Sequence, residues 1–171
     1  MCSIWMGDIK DTPLGVIWIA QNKGGLVAVD LWGERERFTD QVRRLTGADP
    51  IYAPEQLTAV SEQLTEYFRK ERKQFELPID WSVMMPFQQE ALQVVSEIDY
   101  GRTRTYGDIA RQLGKPKAVR AVGRANATNP MPIIIPCHRV LGADGRLHGF
   151  SAPGGVETKA WLLRLEGSWL I

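Results

Sequence analysis

Cys137, His138 and Arg139 stand side by side in a chain that holds two cysteines and two histidines in all. Cysteine attacks as the thiolate, and a thiolate is favoured by an adjacent base and by nearby positive charge. The triplet therefore points to a reactive thiol. Read alone, Cys137 fits a buried small apolar residue equally well. The run before it, Met131-Pro132-Ile133-Ile134-Ile135-Pro136, reads as a buried strand. In a continuing strand Cys137 and His138 would face opposite sides. Contact between them then needs a bend, which Pro136 permits, or a water in between. Glu166, closing an apolar helical stretch, reads as a surface or capping residue, or as the group that orients His138. No metal site is expected, because Cys2 and His148 are the remaining soft ligands and neither has a close partner.

Charge suggests what the thiol is aimed at. The net charge is +1, yet residues 101–146 hold nine cations (Arg102, Arg104, Arg111, Lys115, Lys117, Arg120, Arg124, Arg139 and Arg146) against Asp108 and Asp144. That stretch is +7, which leaves −6 for the rest of the chain. A basic stripe on a nearly neutral protein is the footprint of phosphate contacts, although a solvated cationic face has the same composition.

The elements that would carry these residues divide the chain in two. Gly15 to Ala20 and Gly25 to Trp32 read as strands joined by a glycine turn, residues 35–45 as a helix, and residues 54–70 as a clearer one, with Leu57, Val60, Leu64, Tyr67 and Phe68 at helical spacing. Residues 77–81 read as a linker. A helix is expected from Pro86 to Ile98, a short one after Thr105, and another over residues 118–127, with a Lys115-Pro116 turn between the last two. Two short helices about such a turn outline a helix-turn-helix or an ordinary helical hairpin. The expected fold is an α/β N-terminal domain over residues 1–80, a small sheet plus helices with a structural role, and a mostly α C-terminal helix-turn-helix domain over residues 81–171. No apolar run is long enough to span a membrane. No signal peptide is read, and two cysteines give no disulfide framework, so a reducing, cytoplasmic setting is expected.

Taken together, these pieces resemble the O6-alkylguanine-DNA alkyltransferases, the methylated-DNA–protein-cysteine methyltransferases. The resemblance rests on Thr105 to Ala110, Ala118 to Gly123, Asn126 with Asn129-Pro130, Ile135 to Val140, Gly154-Gly155 and Lys159 to Gly167, in the family's order. The Pro136-Cys137-His138-Arg139 core is its most specific part. It implies stoichiometric transfer of an alkyl group from O6 of guanine in double-stranded DNA, and from O4 of thymine, to Cys137. It implies no cofactor, no metal and a monomer. His138, through a water and backed by Glu166, would take the thiol proton. Tyr106 would turn the phosphate and protonate the leaving base. Arg120 would fill the gap left by the flipped base. Thr105, Ala121, Gly123, Arg124 and Asn129 would meet DNA, with Asn129 also bracing the turn before the cysteine. Val140, Phe150 and Ser151, with Tyr106 and Asn129, would line the base pocket.

The chain departs from the pattern at Phe150-Ser151-Ala152-Pro153-Gly154-Gly155, which lacks the family's tyrosine hydroxyl and is two residues longer. Three other classes compete. Damage-binding relatives replace the cysteine, whereas Cys137 is present. A helix-turn-helix regulator would need a sensor domain or a dimer interface. A cysteine hydrolase would turn over.

Overall fold

The computed structural model describes residues 2–147 and 154–168 and divides into two compact units, Met1–Met84 and Met85–Ile171. In the first unit, β1 (Trp5–Thr12), β2 (Gly15–Asn22), β3 (Gly25–Asp30) and the short β4 (Ile51–Tyr52) form one sheet in the order β3-β2-β1-β4. β1 and β2 pair antiparallel, as do β2 and β3, while β4 adds parallel to β1. Helix α1 (Arg35–Thr46) packs on β2 and β3, burying Phe38 and Val42 against Trp18, Ala20 and Ala28. A single 3-10 turn, Pro54–Leu57, leads into α2 (Thr58–Phe68), which buries Val60, Leu64 and Tyr67. Strands β2 and β3 are buried through their centres, which is why they read as continuous apolar runs rather than alternating ones.

The segment expected to be a linker is tied to the sheet. Ile79 bridges Leu26, with the Leu26 N–H donating to Pro78 O at 2.8 Å and the Asp80 N–H to Leu26 O at 2.9 Å. Gly25, at φ +133°, makes room for it: a Cβ there would lie 2.5 Å from the Pro78 carbonyl. Apolar Leu77 and Ile79 inside a Pro-marked stretch suggest a connection, but backbone pairing captured it.

The second unit is mostly helical: α3 (Pro86–Ser96), α4 (Tyr106–Gln112), α5 (Val119–Ala127) and α6 (Val156–Leu165). Two short parallel strands, β5 (Arg104–Thr105) and β6 (Val140–Leu141), join the start of α4 to the residues after the cysteine. Helix α3 packs against α4 and α5, and α4 against α5, so the expected pair of short helices is present. α4 begins with a capping box: Thr105 Oγ1 accepts from the Asp108 N–H and the Asp108 carboxylate accepts from the Thr105 N–H. It ends before Gly114 at φ +71°, where a left-handed residue releases the chain into the turn.

The apolar run 131–136 is not the strand its composition suggests. Pro130, Pro132 and Pro136 have no N–H to give a ladder. Ile133 takes φ +74° inside a turn closed by the Ile135 N–H to Met131 O at 2.9 Å. Asn129 holds this turn from inside: its Oδ1 accepts from the Met131 N–H and its Nδ2 donates to Ile135 O, both at 3.0 Å.

Candidate active site

The bend that Pro136 permits is present as an inverse γ-turn, with φ −80°, ψ 63° and the Cys137 N–H donating to Ile135 O at 2.8 Å. The chain then makes one 3-10 turn, Cys137–Arg139, before entering β6. In this turn three successive side chains leave in different directions, so Cys137 and His138 escape the alternation of a strand. Cys137 is a free thiol, 4% exposed.

Behind the cysteine lies a closed ionic group. His138 Nε2 is 2.7 Å from Glu166 Oε1. Arg139 forks onto the same carboxylate, Nε to Oε2 and Nη2 to Oε1, each at 2.9 Å. Its third donor, Nη1, is taken by the Ile98 carbonyl, and its guanidinium lies 5.8 Å from the Tyr100 ring centre. Burial of this kind stabilises only when every donor is met, and here the fork is met. The Glu166 carboxyl is pushed up by burial, but the hydrogen bonds and charges of His138 and Arg139 more than offset this and hold it at about 2. Glu166 is therefore ionised and acceptor-only, which makes His138 Nε2 the donor. The other ring nitrogen, Nδ1, is left with its lone pair and has no hydrogen-bond partner among the described residues. Burial also pushes the His138 pKa down, so the ring is neutral at neutral pH and able to take a proton.

The thiol itself is pushed up by burial, opposed by a hydrogen bond from the Asn129 side chain and by the charge of Lys159. Lys159 is fully buried in α6. Its ammonium donates to Val140 O at 2.6 Å, reaches the Tyr106 hydroxyl at 3.5 Å and lies 5.7 Å from that ring's centre. Burial brings its pKa down to about 8, against the pull of Cys137. Tyr106, at the first turn of α4, is half-buried, and burial raises its pKa.

The site therefore brings together Cys137, His138, Glu166, Tyr106, Asn129 and Val140. Thr105 serves as the cap of α4. On α5 the exposed residues are Val119, Arg120 and Arg124, and Ala121 and Gly123 are half-buried beside them. A Cβ on Gly123 would meet nothing within 4 Å. Arg120 and Arg124 make no ion pair among the described residues, whereas Arg111 pairs with Asp108, Lys115 with Glu90 and Arg146 with Asp144. Arg139 leaves the basic stripe: it is 6% exposed and spent on Glu166, because a buried guanidinium demands a carboxylate. Phe150 and Ser151 lie outside the described residues. Among the described residues, no three His, Cys, Asp or Glu side chains are grouped to hold a metal.

Two residues, quoted in the resemblance, were given no role from the sequence. Lys159 carried a signal: with Leu162, Leu163 and Glu166 it repeats at i, i+3, i+4 and i+7, placing a lysine on the apolar face of α6. Asn126 stood in the resemblance beside Asn129-Pro130, and its local signal was a polar residue next to Ala125 on the packed side of α5.

Residues 8–81 match the 6-O-methylguanine DNA methyltransferase ribonuclease-like domain, and residues 86–168 match the DNA binding domain of the same name. The constitutive methylated-DNA–protein-cysteine methyltransferase of Bacillus subtilis is 41% identical over 156 residues, 91% of this chain and 92% of its own. The chain belongs to the 6-O-methylguanine DNA methyltransferase family. A relative from Methanosarcina acetivorans is 40% identical over 94% of this chain and 97% of its own. Among solved structures, the O6-methylguanine methyltransferase of Mycobacterium tuberculosis matches at a TM-score of 0.78 and 35% identity, over 98% of this chain and 95% of that one. A Mycobacterium tuberculosis structure in complex with DNA matches at 0.76 and 34% identity, over 96% and 93%. Cys137 is the buried cysteine of the chain, next to the His138–Glu166 pair.

Proposed function

We propose that the protein repairs double-stranded DNA by moving an alkyl group from O6 of guanine, and from O4 of thymine, onto Cys137 Sγ, once per molecule. The observation that carries this reading is the turn Cys137–Arg139, which sets a free thiol beside a neutral imidazole whose Nε2 is locked on an ionised carboxylate. The thiol proton passes through one water to His138 Nδ1. Sγ forms a bond to the alkyl carbon while the carbon–O6 bond breaks. Its electron pair goes to the base, which Tyr106 protonates. Glu166 balances the imidazolium and Lys159 the thiolate. The product is a thioether, which water does not hydrolyse, so nothing regenerates the thiol.

Reaction inside a stacked duplex is blocked, so the base must leave the stack, at a cost of a few kcal/mol. Arg120, exposed on α5 with no carboxylate to hold it among the described residues, fills the gap, and Arg124, Ala121, Gly123 and Thr105 meet the backbone. Val140, Phe150, Ser151, Tyr106 and Asn129 line the base pocket. The first unit acts as a structural domain. The protein works as a monomer in a reducing, cytoplasmic compartment, which keeps a working thiol. No helix among the described residues is long and apolar enough to cross a membrane.

The test is an intact mass after incubation with a duplex oligonucleotide containing O6-methylguanine. One added methyl, mapped to Cys137 and never exceeded, is the expected result. Cys137→Ser should still bind DNA, because phosphate contacts do not involve the thiol. Repeated turnover, or methyl on the exposed Cys2, overturns the reading.

A further inference from the structure

Asn126 lies on the packed face of α5 and is 4% exposed. Its Nδ2 donates to the Cys137 carbonyl oxygen at 3.0 Å. Flipped, the amide would set Oδ1 against that oxygen, acceptor against acceptor, so the environment fixes which end is which. The carboxamide is short and planar, so Oδ1 stays beside the cysteine as well. It is buried and has no hydrogen-bond partner among the described residues. Asn129 is the contrast. Its Nδ2 donates to Ile135 O and its Oδ1 accepts from the Met131 N–H, so both of its ends are met.

The backbone carbonyls around the nucleophile are already engaged. Ile135 O accepts from the Cys137 N–H and from Asn129, and Pro136 O accepts from the Arg139 N–H. Cys137 O accepts from the Val140 N–H and from Asn126, which fills both of its lone pairs. Val140 O accepts from the Lys159 ammonium at 2.6 Å. Asn126 thus occupies the second acceptor site of the Cys137 carbonyl and offers its own Oδ1 in exchange. The other buried side-chain acceptor without a partner among the described residues of this unit is His138 Nδ1, which is committed to the thiol proton.

An unmet buried acceptor is costly, and an apolar side chain of the same size would avoid the cost. The position is therefore poor as packing and suited to a ligand that brings an N–H. O6-alkylguanine brings one on its reacting edge: N1 carries no hydrogen in the alkylated base, but the exocyclic amine on C2 carries two. O4-alkylthymine has no N–H on the corresponding edge.

We propose that Asn126 is a specificity-determining residue whose Oδ1 accepts a hydrogen from the exocyclic amine of the flipped guanine, favouring O6-alkylguanine over O4-alkylthymine. This rests on the reading of Cys137 as the alkyl acceptor. The bond forms only with the base in the pocket, so it acts on transfer and leaves the phosphate contacts that hold the duplex alone. A site that holds a buried acceptor for a substrate N–H discriminates against an analogue that lacks it, because the acceptor is then left unpaired.

The experiment is a cycle between protein and base. Wild type and Asn126→Leu are each given duplexes carrying O6-methylguanine or O6-methylhypoxanthine, which is the same lesion without the amine. Single-turnover methyl transfer is measured at saturating duplex, and thermal melting checks that the variant is folded. Wild type should transfer about 10-fold more slowly from O6-methylhypoxanthine, the worth of about one hydrogen bond. In Asn126→Leu the two duplexes should differ by less than about 2-fold, since the partner of the amine is gone. Wild-type rates within about 2-fold of each other, or an amine effect of the same size in Asn126→Leu, overturn the proposal while the reading of Cys137 stands. If wild type takes no methyl from either duplex, that reading fails and the proposal goes with it. Should Asn126→Leu not fold, Asn126→Ala takes its place in the cycle. If both fail to fold, Asn126 is a structural residue and the proposal is overturned.

Discussion

At the scale of single residues, Glu166 decides most of what the site can do. Its carboxylate meets two donors of Arg139 and one of His138, and is held at about 2 although burial alone would raise it. The unfolded value is near 4.3. A carboxyl depressed on folding contributes stability that is fully present above the unfolded value and is lost as pH falls through the folded one. The window is therefore from about pH 4.5 down to about 2, and the linked contribution is on the order of 3 kcal/mol. Glu166→Gln removes this dependence and leaves Arg139 buried without a carboxylate, which costs about 3–5 kcal/mol. The variant should melt well below wild type at pH 7. Between pH 5 and 3 (roughly the upper part of that window) its melting temperature should fall less steeply. Parallel curves for the two proteins would show that Glu166 is not the linked group. His138 shifts in the same direction, since burial depresses its pKa, but its window lies higher, from about 6.5 downward.

At the scale of elements, α5 carries a residue that the free protein does not need. Glycine inside a helix costs about 0.5–1 kcal/mol relative to alanine. Gly123 sits at the middle of Val119–Ala127, and an added Cβ would meet nothing within 4 Å. Its neighbours along the exposed side are Arg120 and Arg124. Gly123→Ala should therefore raise the melting temperature and weaken duplex binding, because the methyl occupies space that DNA approaches. A variant that is more stable and binds equally well would make Gly123 incidental. The helices around this point were legible because Pro86, the Thr105–Asp108 box and the spacing of Ala118, Val122 and Ala125 are local signals. The run 131–136 was not. Its composition is that of a strand, but three prolines and the Asn129 side chain supply a turn, and side-chain-to-backbone bonds of this kind leave no periodicity. The short strands β4 and β5 were also hidden, since two residues cannot display a period. At the site, adjacency made Cys137, His138 and Arg139 visible, and helical spacing placed Lys159 and Glu166 on one face. That Arg139 closes on Glu166, 27 positions away, is a tertiary fact.

At the scale of the whole molecule, charge is distributed by function rather than balanced. The chain is +1 overall, while residues 101–146 are +7. The structure removes Arg139 from that excess by burying it and leaves the other eight cations of the stretch exposed. Three of those eight, Arg111, Lys115 and Arg146, pair with carboxylates, leaving Arg102, Arg104, Lys117, Arg120 and Arg124 without an ion pair among the described residues. Each phosphate neutralised by such a group contributes about −0.9 to the slope of log affinity against log salt concentration. Non-specific duplex binding should therefore weaken steeply with salt despite a net charge near zero. Arg124→Ala should make the slope shallower by about 0.9, uniformly across sequences. Arg69→Ala removes an exposed cation of the first unit and supplies the control, because the net charge falls by the same amount but no phosphate contact is lost. Titrations from about 50 to 200 mM salt, the range over which phosphate contacts are most visible, distinguish the two. If both variants change the slope equally, overall charge rather than the face built on α5 governs association. If only Arg124→Ala does, binding is a property of that face.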